Sequence, residues 1–165
     1  MNATIRMDLR FPADWERIEP VREAVSRCLQ AVYADGELQE SLQMVSAELL
    51  ENAVKYGAHE DVMWLSIEER PEGLVVGVTN AIPAGSPHVD ALRERIAWIA
   101  AFADPAEAFV AAMAEIFARS DPYGHSGLGL ARVAHEGGCR IECDESQPGQ
   151  VTVRAVRALH AGKRS

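Results

Sequence analysis

Leu38, Leu42, Val45, Leu49, Ala53 and Tyr56 recur at helical spacing and form one apolar stripe some five turns long. A stripe of that length has to be buried, so the rest of the chain must supply a surface to cover it. The candidates are the short runs that read as strands. "TIRMDLRF" alternates Ile5, Met7, Leu9 and Phe11 on one face, and "VMWLSIEE" and "LVVGVTN" are joined by a "RPEG" turn as a hairpin. "CRIECDES" and "QVTVRAVRAL", joined by "QPGQ", form a second strand pair. Between the first strand and the long helix, Pro12 and Asp14 break the extended run and open a helix through about Tyr33, and "ADGE" separates the two helices. Gly57 closes the long helix, predicted over Leu38 to Tyr56.

The order is therefore β-α-α-β-β, then a helical stretch, a glycine-bearing loop, and α-β-β. Helices segregate from a mostly antiparallel sheet, which predicts an α+β two-layer sandwich with the helices on one face. At 165 residues, without internal repeat or linker, the expectation is one domain over residues 1–165. From Pro83 to Tyr123 two helical segments follow one another, and Asp104-Pro105 marks the stop and restart. Their apolar positions are Leu92, Ile96, Ile99 and Phe102, then Phe109, Met113, Ile116 and Phe117. An αα-hairpin packed as extra core and a docking surface for a partner or second copy both fit that pattern.

A net charge of −9 argues against broad binding to nucleic acid. The apolar run "IAWIAAFA" stops at Asp104, too short for a bilayer, and the start "MNATIRMDLRF" lacks the pattern of a secretory signal. The expectation is a soluble cytoplasmic protein without membrane contact. Three cysteines cannot form a paired framework, and Cys139 and Cys143 do not match a C-x2-C zinc knuckle. His59, His88, His135 and His160 share no metal-ligand spacing. His125, just before the second of the two motifs described next, is either an exposed loop residue or a phosphate contact.

Two motifs carry chemistry. In "SAELLENAVKYG", Glu48, Asn52 and Lys55 lie at i, i+4 and i+7 along one rim of the apolar stripe, with Glu51 farther out. A solvated ladder worth a few tenths of a kcal/mol would look the same. In "SGLGLAR", Gly127 and Gly129 stand where a loop meets a helix N-terminus, where free N–H groups can meet a phosphate.

Together, in this element order, "ELLENAVKYG" resembles the N-box and "SGLGLARV" the second glycine box of the GHKL (Bergerat-fold) ATPase/kinase superfamily. The branch it most resembles is the bacterial anti-sigma-factor and switch-protein Ser/Thr kinases, and the helical insert together with a weakened first glycine box resembles the SiaB-type threonine kinases of partner switching. The resemblance implies the histidine-kinase-type ATPase fold, with the αα-hairpin inserted in the lid region at about 83–123. It implies ATP and Mg²⁺ as cofactors, Glu48 as general base, Asn52 as Mg²⁺ ligand, and Lys55 as a point charge near the phosphates. The backbone of Gly127, Leu128 and Gly129 would cradle the phosphates. The implied substrate is a Ser or Thr of a small regulatory protein, akin to an anti-sigma-factor antagonist, or the partner is a sigma factor; a homodimer is compatible with the branch.

The first glycine box, D-x-G-x-G in the family, is here "NAIPA", with Asn80 in the Asp position and Ile82 and Ala84 in the Gly positions. Asn80 can still accept a hydrogen bond from the adenine amino group, at a cost of about 1 kcal/mol. Ile82 could fill the space of the base. A second reading follows: an adaptor that kept the fold, lost the nucleotide, and sequesters a regulatory protein through its insert.

Overall fold

A computed structural model describes residues 4–58, 61–83, 85–119 and 127–159. Ten elements follow in the predicted order. They are β1 (Arg6–Pro12), α1 (Trp15–Val32), α2 (Gly36–Tyr56), β2 (Val62–Arg70), β3 (Gly73–Ala81), α3 (His88–Ala100), α4 (Pro105–Arg119), α5 (Leu128–His135), β4 (Arg140–Gln147) and β5 (Gln150–Arg157). Five strands form one open sheet in the order β1-β2-β3-β5-β4. Every pairing is antiparallel.

Register turns the alternation in each strand into one continuous apolar face. Leu9 lies opposite Leu65, Leu65 opposite Val78, Val78 opposite Val153, and Val153 opposite Cys143, so a single row crosses all five strands beneath the helices. Met63, Leu65, Ile67, Leu74 and Val76 on that face are fully buried. The other face is polar. Trp64 lies there with its Nε1 donating to Asp8 at 3.3 Å and Arg10 over its ring, and Thr79 pairs with Thr152 at 2.8 Å.

Local signals set the helix ends. Asp14 accepts from the Glu16 N–H at 3.1 Å, and Asp35 accepts from the Leu38 N–H at 3.1 Å. The second cap is why α2 begins at Gly36, two residues before the first apolar position. Asp104 caps α4 through the Ala106 N–H at 2.9 Å, with Pro105 as the first helical residue. The predicted stripe on α2 is buried from Leu38 to Ala53, and Leu50 and Val54 join it in the core.

The insert is mostly core. Val89, Leu92 and Ile99 of α3 and Ala108 and Ala112 of α4 are buried, and Ile96, Phe102 and Phe109 pack partly against them. Phe117 departs from the expected inner face: it is 83% exposed, and Val110, two turns earlier, is 60% exposed. Tyr123, His59, His125, His160 and Ala84 lie outside the described residues. Among the described residues no helix is long and apolar enough to cross a membrane.

Candidate functional site

Helix α2 lies on the helix side of the sheet, packed between α1 and α5, and α3 reaches it from beyond α5 through His88 on Tyr56. Between α2, α3 and α5, above β3 and β5, is a cavity of about 180 Å³. Its walls come from α2 (Leu49, Asn52, Ala53, Tyr56), β3 (Val78, Asn80), α3 (His88, Leu92, Arg95), β5 (Val151, Val153) and the start of α5 (Gly127, Leu130). Three of the residues that the sequence singled out, Asn52, Asn80 and Gly127, thus meet in one hollow although their motifs are far apart in the chain.

Asn80 follows Val76 and Val78 on the inner face of β3, and it is 6% exposed. Its Nδ2 donates to the Ala81 carbonyl at 3.0 Å. A side chain on Gly57 would lie 2.8 Å from that Nδ2 and 2.5 Å from the Ala53 carbonyl, so the glycine that ends α2 is also what lets the amide fit. With its nitrogen engaged in this way, Asn80 has Oδ1 left as an acceptor toward the cavity it lines. Ile82 does not fill the hollow. Its N–H bonds the Gly149 carbonyl at 2.9 Å, its side chain joins the hydrophobic core, and it is absent from the cavity wall.

Glu48 sits one turn before Asn52, with its side chain 20% exposed. Helix α5 comes so close that a Cβ on Gly129 would lie 2.5 Å from Glu48 Oε2 and 3.8 Å from Asn52 Nδ2. The glycine thus leaves room for the Glu48 carboxylate where α2 and α5 approach, and a side chain there would push that carboxylate aside. Arg132, farther along α5, donates to Glu48 Oε1 at 3.1 Å and to Glu136 at 2.9 Å. Burial raises the Glu48 carboxyl above its ordinary range, and the hydrogen bond from Arg132 opposes that rise. A carboxylate that favours its proton, one helical turn from an amide, is a group suited to proton transfer.

The remaining predicted residues lie outside the hollow. Lys55 Nζ rests 5.1 Å from the centre of the Tyr56 ring and does not line the cavity. Leu128 opens α5 and packs partly against the core.

Three contacts were not readable from motif spacing. Arg132 closes on Glu48 across 84 residues of sequence. His88 stacks on Tyr56 with ring centres 4.0 Å apart, and burial lowers its pKa below the usual imidazole value. Arg95, in the insert, donates from Nε and Nη2 to the Gly127 carbonyl, each at 3.3 Å. The only advance signal was helical phase: His88, Leu92, Arg95 and Ile99 share a face of α3, so a buried Leu92 implied that Arg95 points inward.

No protein-family model matches the chain, and no curated protein matches its sequence. Among solved structures it is similar to a chain in the crystal structure of the SiaB–SiaC complex from Pseudomonas aeruginosa. The TM-score is 0.72 and the identity 22%, covering 94% of this chain and 90% of that one. At that identity the likeness establishes a shared, SiaB-like fold over nearly the whole chain, insert included.

Proposed function

We propose that this chain is an ATP-dependent regulatory protein kinase of the GHKL type, acting on a Ser or Thr of a small protein partner. The observation that carries the reading is the convergence of Asn52, Asn80 and Gly127 on one cavity with Glu48 beside it. The fold likeness to a chain of the SiaB–SiaC complex supports it, since that protein assembles with another.

In this reading the apolar hollow takes the adenine. Asn80 Oδ1 accepts from the 6-amino group, and Val78, Val153 and Leu130 exclude water. A guanine would place its carbonyl oxygen against the same acceptor and be refused. Asn52 would hold Mg²⁺ through its amide oxygen, a hard ligand suited to that ion. Among the described residues no three His, Cys, Asp or Glu side chains lie together to hold a metal, so the ion would share its ligands with the phosphates. Bound Mg²⁺ supplies neutralisation of charge on the triphosphate. Glu48 would take the proton of the attacking hydroxyl, and its raised pKa fits that task.

The experiment is thermal unfolding with and without millimolar MgATP, for the wild type and Asn52→Ala. At about 100 times Kd the ligand adds about 2.7 kcal/mol, several degrees for a domain of this size. A Mg-dependent shift lost in Asn52→Ala supports the site, and phosphate transfer to the partner is then assayed. The absence of any shift at several millimolar would sink it.

The second reading, an adaptor without nucleotide, is favoured by one observation. The hollow, about 180 Å³, is smaller than the roughly 300–1,000 Å³ usual for small-molecule sites. It can hold a base, but not a whole nucleotide, without opening. In that case partner binding is unaffected by MgATP and by Glu48→Gln.

A further inference from the structure

Arg95 is the one charged side chain among the described residues lining the cavity, which is otherwise apolar, amide and aromatic. It belongs to neither motif. It comes from α3, and its side chain is 21% exposed. Its guanidinium touches three things. Nε and Nη2 share the Gly127 carbonyl at 3.3 Å, Nη1 meets the Glu115 carboxylate of α4 at 2.9 Å, and the plane lies 4.0 Å from the centre of the Trp98 ring. A Cβ on Gly127 would lie 2.6 Å from Nε, so the glycine leaves the room the guanidinium fills.

The two bonds to Gly127 are long and go to a neutral oxygen. A phosphate at that position would offer charge-assisted, two-pronged bonds of about 2.7–2.9 Å, which are roughly twice as strong. The Glu115 carboxylate is 37% exposed, so solvent screens its hold on Arg95. A bound phosphate would thus compete with Glu115 for one cation that touches both α4 and Gly127.

We propose that Arg95 is a nucleotide-phosphate contact supplied by the insert, and that phosphate draws it away from Glu115, so that occupancy of the cavity loosens the α3–α4 pair. The inference rests on the nucleotide reading above and goes beyond it. It gives the insert a task, reporting the state of the site to α4, whose outer side exposes Val110 and Phe117.

The test is calorimetric titration of MgATP into the wild type, Arg95→Ala and Glu115→Gln, with Trp98 emission recorded in a Trp15→Phe/Trp64→Phe background. Arg95→Ala is expected to weaken binding about tenfold. Glu115→Gln is expected to tighten it about twofold to fivefold by freeing the guanidinium. Trp98 emission is expected to change on saturation as the stacked cation moves. A purely structural Arg95–Glu115 pair would instead give both variants the same sign. If the wild type binds MgATP but the variants match it, or both weaken, and Trp98 stays silent, the proposal is overturned and the nucleotide site stands. If the wild type does not bind MgATP at all, the nucleotide reading and the proposal fall together.

Discussion

Among the described residues, two of the hollows on the helix side of this sheet differ in kind. The larger, about 480 Å³, lies under the α3–α4 turn against the end of α5 and the start of β4. It is lined by Ile96, Ile99, Phe102, Ala134, Cys139 and Ile141, and also by the exposed Asp104, His135 and Arg140. The smaller, about 180 Å³, holds amides from two motifs, a stacked Tyr–His pair and an arginine. Size favours the first, but polar groups converging from distant segments favour the second. Apolar space is left over wherever a helix turn lifts off a sheet, whereas a buried amide such as Asn80 has to be held in place by partners.

Filling each hollow breaks the comparison most directly. Ala53 is buried in the smaller wall, so Ala53→Leu occupies the space assigned to the base. Overpacking costs about 1–3 kcal/mol of stability, which a folded domain tolerates, while MgATP affinity is expected to fall about a hundredfold or more. Ala134→Leu, at a buried position in the wall of the larger hollow, is expected to leave affinity within about twofold. Calorimetry on both variants, with circular dichroism to verify folding, decides it. The reverse pattern would move the site to the larger hollow.

The burial of Cys139 in the wall of the larger hollow is testable through its thiol, which burial pushes up to about 11. The folded thiol keeps its proton to about that pH, whereas the unfolded one ionises near its ordinary value. Unfolding is therefore favoured as pH rises from about 9 to 11, by at most about 2.7 kcal/mol. Below pH 9 the effect vanishes. Urea melts across that window should show the wild type losing stability faster than Cys139→Ala. Parallel curves would mean that water reaches the thiol.

At the end of the smaller hollow that the proposed reading gives to the base, Asn80→Asp introduces the residue that reading expects there. It also turns a donor into an oxygen facing the Ala81 carbonyl, 3.0 Å away. We expect a loss of about 2 kcal/mol in urea melts and no gain in MgATP affinity. A stable Asn80→Asp that binds more tightly would show that the amide has no work that a carboxylate cannot do.

These contacts mark what the sequence could and could not disclose. Period-two and period-3.6 patterns gave the strands and helices, because burial imposes them residue by residue. The fold class followed from element order. The Glu48–Asn52 pair was legible because its spacing is a property of one helix. The ion pair of Glu48 with Arg132 and the closure of Arg95 on Gly127 were not, because each depends on how two helices approach across the sheet. Ile82 misled for a related reason. Its β-branch looked obstructive by position, yet the hydrogen bond to Gly149 puts its side chain in the core rather than in the cavity. Phe117 continued an apolar period but lies exposed on α4.

The smallest expected effect sharpens the reading of Glu48. Burial raises its pKa, so the folded state disfavours the carboxylate even with Arg132 beside it. The stability this lends is complete below the ordinary carboxylate range and is lost as pH rises through the folded value. Gln is neutral throughout and can still accept from Arg132, which also keeps Glu136 at 2.9 Å. Glu48→Gln should therefore match the wild type near pH 4 and exceed it at pH 7 in urea melts. A residue that costs stability where the protein works is there for something other than folding. If Glu48→Gln instead lowers stability at pH 7, the ion pair with Arg132 outweighs burial, and Glu48 is a strut between α2 and α5 rather than a base.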